Sequence, residues 1–371
     1  TRRKAGLGDV LAGAAGALGL DDEQAQQARV LLELPHVRRM VVVLVDGLGR
    51  NNLAERSGHA PFLRGLLAGS RTLRSTFPST TATAMATFGT GLPPGRTAML
   101  GYTVRVPATG ALGNLVSWTQ LPEPQVWQPA PTWFDRMSAA GIAVTSVGPQ
   151  RFEGSGLTRA ALHGGGYRPA ESLVERVDGV LDVLRAPGLA YLYWGDVDKA
   201  GHHHGWGSLE WGDALAAVDH ELARLARALP TGTLLLVTAD HGMVDVDRRA
   251  RWDVATEPEL RAQVDLVAGE PRAMQLHLTA GADPVQVADR WREVLGNRAV
   301  VLTRDVAIEA GLLGPVDERV RPVVGDVLVA MGGRATVVDS RTQTPASLEL
   351  VGVHGSLTDQ EMSIPLLLAG G

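Results

Sequence analysis

Leu234-Leu-Leu-Val-Thr-Ala-Asp-His-Gly242 holds an apolar run that ends on a carboxylate, an imidazole and a glycine. Its first five residues are continuously apolar or β-branched, the pattern of a parallel strand covered on both faces. The residues that follow are metal-ligand types. A second stretch repeats the arrangement: Ala190-Tyr-Leu-Tyr-Trp194 runs into Asp198-Lys-Ala-Gly-His202. Two acid–imidazole pairs just past two strands point to two divalent cations in one site, and so to phosphate-ester hydrolysis.

Further candidate strands lie outward from this pair, at Met40–Val45, Ile142–Val147 and Pro365–Leu368. Between the two central runs, Trp211, Leu215, Val218, Leu222, Leu225 and Leu229 recur at steps of four and three, a helical stripe stopped by Pro230. Strand–helix alternation predicts an α/β fold with a doubly wound, mostly parallel sheet. In such sheets ligands gather at the carboxyl ends of strands, where both pairs fall. The segment 247–344 carries its own strand-like runs (Met274–Leu278, Ala299–Leu302, Asp326–Val329) and a helical run, Pro284–Leu295. It reads as an inserted α+β cap between core segments 36–246 and 345–371, after an N-terminal helical segment, 1–35. Gly164-Gly-Gly166 reads as a loop and Arg334 to Ser347 as a flexible connection.

The bulk numbers narrow the function. The chain has 371 residues, 45% hydrophobic and 20% charged, with net charge −5. That composition fills a core and offers no basic surface for nucleic acid. There are no cysteines, which excludes disulfides, thiolate zinc sites and cysteine nucleophiles. The longest pure apolar run is Met40 to Val45, far short of the roughly 20 residues of a membrane span. The basic opening Thr-Arg-Arg-Lys leads into a Gly/Ala-rich stretch, Gly6 to Leu20. This reads as a weakly amphipathic helix rather than a signal peptide, so a cytoplasmic location without membrane attachment is expected.

Asp46 ends the Met40–Val45 run before Gly-Leu-Gly, where a carboxylate can reach a metal or simply form a turn. Pro78 and Ser79 make a helix start, with a small-residue helix from about Thr80 to Thr90. A hydroxyl at that start sits where the helix stabilises an anion, which suits a phosphoryl-attacking nucleophile; serine and threonine there also serve as plain caps. Asp198 and His202 share a face if their segment is helical. Asp196 is also available, and His203 and His204 complete three histidines in a glycine-flanked loop. His354 lies between glycines near the last strand and says little alone.

Together these segments resemble the type I phosphodiesterase/nucleotide pyrophosphatase family of the alkaline phosphatase superfamily. The resemblance runs from Met40 to Leu368 and is weak in the insert. It rests on a strand-end Asp, a Thr at a helix start, Asp-x-x-x-His, Asp-His and a distant Gly-x-His-Gly, in that order. It implies one metal site from Asp198, His202 and His354 and another from Asp46, Asp240 and His241, with the nucleophile's oxygen between two divalent cations, zinc or else manganese. Two family patterns disagree on the nucleophile. The Thr before Phe-Pro would select Thr76. The nine-residue spacing to the Thr90-Gly91 pair selects Thr81, which helix register favours, with Thr80 second. The family's phosphate-holding Asn has no clear counterpart: Asn114 is the nearest, and Arg96 or Tyr102 would be substitutes.

The expected activity is metal-dependent hydrolysis of phosphate diesters or nucleotides, small-molecule substrates, through a phosphothreonine. A phosphomonoesterase or phosphonate hydrolase would share the ligands. A sulfatase is disfavoured, since no cysteine nucleophile or Ser-x-Pro-x-Arg is present. A non-catalytic metal-binding relic would have no reason to keep six ligand groups.

Overall fold

The computed structural model describes residues 4–370; Thr1, Arg2 and Arg3 of the basic opening lie outside them. Two N-terminal helices, α1 (Asp9–Ala17) and α2 (Glu23–Leu32), precede the first strand, β1 (Arg39–Val45). Then come β2 (Arg71–Arg74), α3 (Thr81–Thr90), β3 (Val144–Gly148), β4 (Gly166–Pro169) and β5 (Gly188–Trp194). They are followed by α4 (Asp196–His204), α5 (Leu209–Ala228) and β6 (Thr233–Thr238). A second lobe holds β7 (Val264–Glu270), β8 (Ala273–Leu278), α6 (Pro284–Leu295), β9 (Ala299–Thr303) and β10 (Val327–Met331). The last strand, β11 (Ser363–Gly370), returns to the main sheet.

That sheet has seven strands in the order β2-β11-β6-β1-β5-β3-β4. The five from β6 to β4 are parallel. Every residue of β6 and all but the first of β1 are buried, as expected of runs covered on both faces. The stripe on α5 joins the same hydrophobic core, with Trp211, Leu215, Val218, Leu222 and Leu225 buried and Ser208 capping the helix through Trp211 N–H. Register decides where function collects: Val45 pairs with Trp194, and Leu44 with Thr238, so β1, β5 and β6 end on one edge. The second lobe is a four-stranded antiparallel sheet, β7-β8-β10-β9, with its own core around Trp291, Leu276 and Val329.

Several expectations need correction. Pro365–Leu368, grouped with the parallel runs, belongs to a longer strand antiparallel to both β6 and β2. The run Ile142–Val147 becomes a strand only at Val144, because Ile142 N–H still bonds Met137 O as its preceding helix closes. β2 and β4 went unseen, since both are polar, half-exposed edge strands without an apolar run. Gly164 and Gly165 form the expected loop at positive φ, but Gly166 already starts β4. The N-terminal helix α1 is buried at all nine residues rather than on one face. Its glycines permit this: a Cβ on Gly16 would stand 2.4 Å from Ala25 O of α2. In the presumed flexible connection, Thr336–Val338 is a buried strand paired in parallel with Arg251–Asp253. Among the described residues no helix is long and apolar enough to cross a membrane.

Candidate metal centre

The shared edge of β1, β5 and β6 delivers three carboxylates. Asp46 follows β1 directly, held by its N–H on Trp194 O at 2.9 Å. Asp240 and His241 follow β6, and Asp198 projects from the first turns of α4. Gly47 makes the crossing possible: at φ +71° it turns the chain, and a Cβ there would meet Asp198 at 2.9 Å. The histidines expected in a loop are instead on helix α4, where Asp198 and His202 share a face. His354 comes from the loop before β11, and Thr81 is the first residue of α3.

Each carboxylate has one oxygen engaged and one bare. Asp46 Oδ2 accepts from the Tyr193 hydroxyl, Asp240 Oδ1 from Gly47 N at 3.1 Å and His241 N at 3.0 Å, and Asp198 Oδ2 lies 3.1 Å from His202 Nε2. Asp46 Oδ1, Asp240 Oδ2 and Asp198 Oδ1 are buried without a hydrogen-bond partner. The imidazoles complement them. Nδ1 of His202, His241 and His354 faces Gly352 O (2.7 Å), Gly242 O (3.1 Å) and Ser79 O (2.9 Å), which fixes the proton on Nδ1 and turns Nε2 inward. His241 Nε2 lies 3.4 Å from Asp46 Oδ1, 3.4 Å from Asp240 Oδ2 and 3.2 Å from Thr81 Oγ1. His354 Nε2 is 3.8 Å from Asp198 Oδ1, its ring stacked on His241 at 3.6 Å.

Electrostatics fit a site built for cations. Burial, then the charges of Asp240 and Asp198, push the Asp46 carboxyl well above its ordinary value. Burial acts upward on Asp198 too, but His202 and then His354 outweigh it and hold Asp198 low. His202, opposed by burial, is raised to about 9 by Asp198. Burial and the neighbouring His241 drive His354 well below the usual imidazole range. Bare buried oxygens and inward nitrogens of this kind are costly unless a cation compensates them. Two sets could each hold an ion with ligand atoms within 4.8 Å of one another: Asp198 with His241 and His354, and Asp46 with Asp240 and His241. The grouping differs from the expected one, because His241 stands in both sets and His202 joins through Asp198.

Thr81 Oγ1 is the hydroxyl at this centre. The Thr76 hydroxyl donates to Pro78 O, and Thr80, the residue before α3, makes no side-chain cap. The first N–H groups of α3 are therefore left by that side chain for an anion. Asp196, His203 and His204 point elsewhere: all three are exposed. Arg96 is half-exposed beside Asp317, and Asn114 spends its oxygen on Val116 N and Ser117 N.

Two clefts adjoin the centre. One, of about 320 Å³, is lined by Thr81, Arg151, Phe152, Tyr167, Tyr191 and Tyr193. The other, of about 500 Å³ between the lobes, is lined by Thr80, Tyr102, His202, Glu270, Asp339 and His354. Sequence reasoning missed Tyr193, which is disguised inside an apolar strand, and Glu270, which sits in the insert with no motif around it. Burial pushes Glu270 up to about 8, against the nearby Thr80 hydroxyl and Tyr102 N–H, with the Glu361 charge adding to the rise.

Residues 40–357 match the family model described as type I phosphodiesterase / nucleotide pyrophosphatase. A phosphopentomutase of Anaeromyxobacter dehalogenans (strain 2CP-C) is 33% identical over 119 residues, 31% of this chain and only 28% of that protein's length. Murine ectonucleotide pyrophosphatase/phosphodiesterase 5 superposes with a TM-score of 0.70 at 18% identity, covering 90% of this chain and 88% of that one. An inactive Thr-to-Ala form of the murine protein, in complex with AMP, gives 0.69 at 17% identity over the same shares. Phosphonoacetate hydrolase from Sinorhizobium meliloti 1021, in complex with phosphonoformate, gives 0.68 at 21% identity, covering 90% of each chain. At these identities the structures establish a common fold.

Proposed function

The chain belongs to the type I phosphodiesterase/nucleotide pyrophosphatase family, and from that membership and the site's geometry we propose a metal-dependent hydrolase of phosphate diesters and nucleotide pyrophosphates. The observation that carries the reading is convergence: three carboxylates, each with a bare buried oxygen, and three inward Nε2 atoms gather at one strand edge, where His241 Nε2 meets the Thr81 hydroxyl. Asp46, Asp198, Asp240, His202, His241 and His354 would hold two divalent cations, and the mix of carboxylate and neutral imidazole suits zinc best. Bound there, the cations supply Lewis acidity that lowers the pKa of a hydroxyl and neutralises phosphoryl charge.

The residues of the chain then divide the work. Thr81 Oγ1 loses its proton and attacks phosphorus, and the bond to the leaving oxygen breaks. The N-terminus of α3 directs N–H groups at the equatorial oxygens. The phosphothreonine on Thr81 is cleaved by water, which restores the hydroxyl and gives two inversions, hence net retention at phosphorus. The murine relative's inactive Thr-to-Ala form lends a threonine role support by likeness.

A diester is favoured over a monoester because cationic groups are scarce. Arg151 is the single lysine or arginine among the residues lining the two clefts, and it is exposed. A dianionic monoester would want more positive charge than that. The test is a comparison of bis(para-nitrophenyl) phosphate, para-nitrophenyl phosphate, a para-nitrophenyl nucleotide ester and phosphonoacetate, with added zinc and after chelation. Diesters should exceed the monoester by about tenfold or more in kcat/KM and lose their turnover to the chelator. A monoester or phosphonate preference, or activity indifferent to chelation, refutes the reading.

A further inference from the structure

Glu270 ends β7 and starts the two-residue turn Pro271-Arg272, with its backbone paired to Ala273. The turn is anchored from behind, where the Arg272 guanidinium is fully buried on Glu361 at 2.6 and 3.0 Å. In front, the chain has cleared space for the carboxyl. Gly355 has φ +133°, and a Cβ there would stand 2.8 Å from Glu270 Cγ; a Cβ on Gly101 would stand 3.7 Å from Oε1. The residue is 8% exposed, and neither Oε1 nor Oε2 makes a well-aligned hydrogen bond; the nearest donors are the neutral Thr80 hydroxyl and Tyr102 N–H.

A buried carboxyl approached only by two poorly aligned neutral donors is costly, and a purely structural role would have supplied a charged donor. Asp339, the other acid lining the inter-lobe cleft, has such a donor, since Arg341 grips it at 2.6 and 2.8 Å. Glu270 belongs to neither candidate cation set. It lines the cleft with Thr80 and His354 and lies against Gly355, so it shares that cleft with the residues flanking Thr81 and with His354 itself. The opposite cleft presents aromatic rings and no acid.

We propose that Glu270 is a specificity residue, and that the inter-lobe cleft takes the ester arm carrying a hydrogen-bond-donating head, an ammonium or a hydroxyl. The inference rests on the phosphoester reading above. It makes the substrate asymmetric, with a donor-bearing arm under the second lobe and a flatter, less polar arm on the aromatic side.

The experiment uses the zinc-loaded full chain and three para-nitrophenyl diesters whose second arm is aminopropyl, hydroxypropyl or butyl. The aminopropyl or hydroxypropyl ester should exceed the butyl ester by about tenfold or more in kcat/KM, and which of the two leads separates an ammonium from a hydroxyl. In Glu270→Gln the leading ratio should collapse several-fold, with Glu270→Asp between. A ratio near one in the unaltered protein, or a ratio that survives Glu270→Gln, overturns the proposal. Calorimetric binding of aminopropyl, hydroxypropyl and butyl phosphonates gives a readout independent of turnover. A donor preference in binding with no diester hydrolysis would sink the phosphodiesterase reading and keep this one; hydrolysis with no preference would do the reverse.

Discussion

Thr81 is set apart from its neighbours by what its hydroxyl touches. Thr76 donates to Pro78 O, Thr80 lies toward the inter-lobe cleft, and Thr81 Oγ1 alone of the three stands 3.2 Å from His241 Nε2. Thr81→Ala should therefore lower kcat roughly 10⁴-fold or more while zinc content stays near that of the parent. Activity that persists in Thr81→Ala would move the nucleophile elsewhere. Tyr193 acts one step back, through Asp46. Its hydroxyl satisfies one oxygen of Asp46, leaves the other bare, and lowers a carboxyl that burial raises. Tyr193→Phe removes that aid, so protons compete better for Asp46, and zinc affinity should fall roughly 10- to 100-fold, more steeply at acid pH. Competition with a chelating dye at two pH values checks both parts. The candidate ligands were legible because each is a polar residue at or soon after the end of an apolar run, or in a glycine-flanked stretch. Tyr193 was not, since a tyrosine within Ala190–Trp194 looks like core.

At the scale of the element, legibility followed apolar periodicity. The α5 stripe and the α6 helix emerge where the pattern put them, because burial on one face leaves a repeating trace. β2 and β4 pair only at sheet edges and need no such trace, and α1 is buried by small residues that carry little periodicity. β8 holds a feature that pattern reading passes over. His277 is 1% exposed, its Nε2 has no partner, and it is pushed down to about 4. Burial is the main cause; Asp326 opposes it, while Arg105 and Arg304 add to it. The unfolded chain takes up this proton below 6.5, whereas the folded one holds off until about 4. The unfolded state thus binds more protons in that window, and stability falls as pH drops from 6.5 toward 4. The loss between neutral pH and the acid end should be about 3 kcal/mol, and His277→Met should remove that share of the acid sensitivity. Denaturation curves for parent and variant across the window would decide it, and identical pH slopes would exclude the histidine.

Across the whole molecule, the two lobes are joined by a fully buried ion pair that no local pattern announced. Arg272 belongs to the β7–β8 turn and Glu361 to the segment before β11, 89 residues apart. Both are fully buried. Such a pairing is fixed by topology, as is the antiparallel entry of β11 into the sheet, and neither leaves a signal in a short window of sequence. Its position gives it reach. The Glu361 carboxylate also accepts from Ser356 N at 2.9 Å, two residues past His354, and the Glu361 carbonyl accepts from Gly242 N at 2.8 Å, next to His241. One residue therefore ties the second lobe to both histidine-bearing loops. Arg272→Ala strands a buried carboxylate and should cost about 3–5 kcal/mol of stability, because the penalty of an unpaired charge exceeds the value of the pair itself. Replacing both partners, as Arg272→Met with Glu361→Leu, removes the stranded charge and should recover much of the melting temperature. It does not restore the bond to Ser356 N, so zinc affinity should stay low in the double variant even where stability returns. Melting curves and zinc titrations on the parent, the single and the double variants separate the two effects. If affinity returns together with stability, Glu361 holds the lobes together and nothing more, and the His354 loop must be positioned from the core side by His354 Nδ1 on Ser79 O and Ser79 N on Gly355 O.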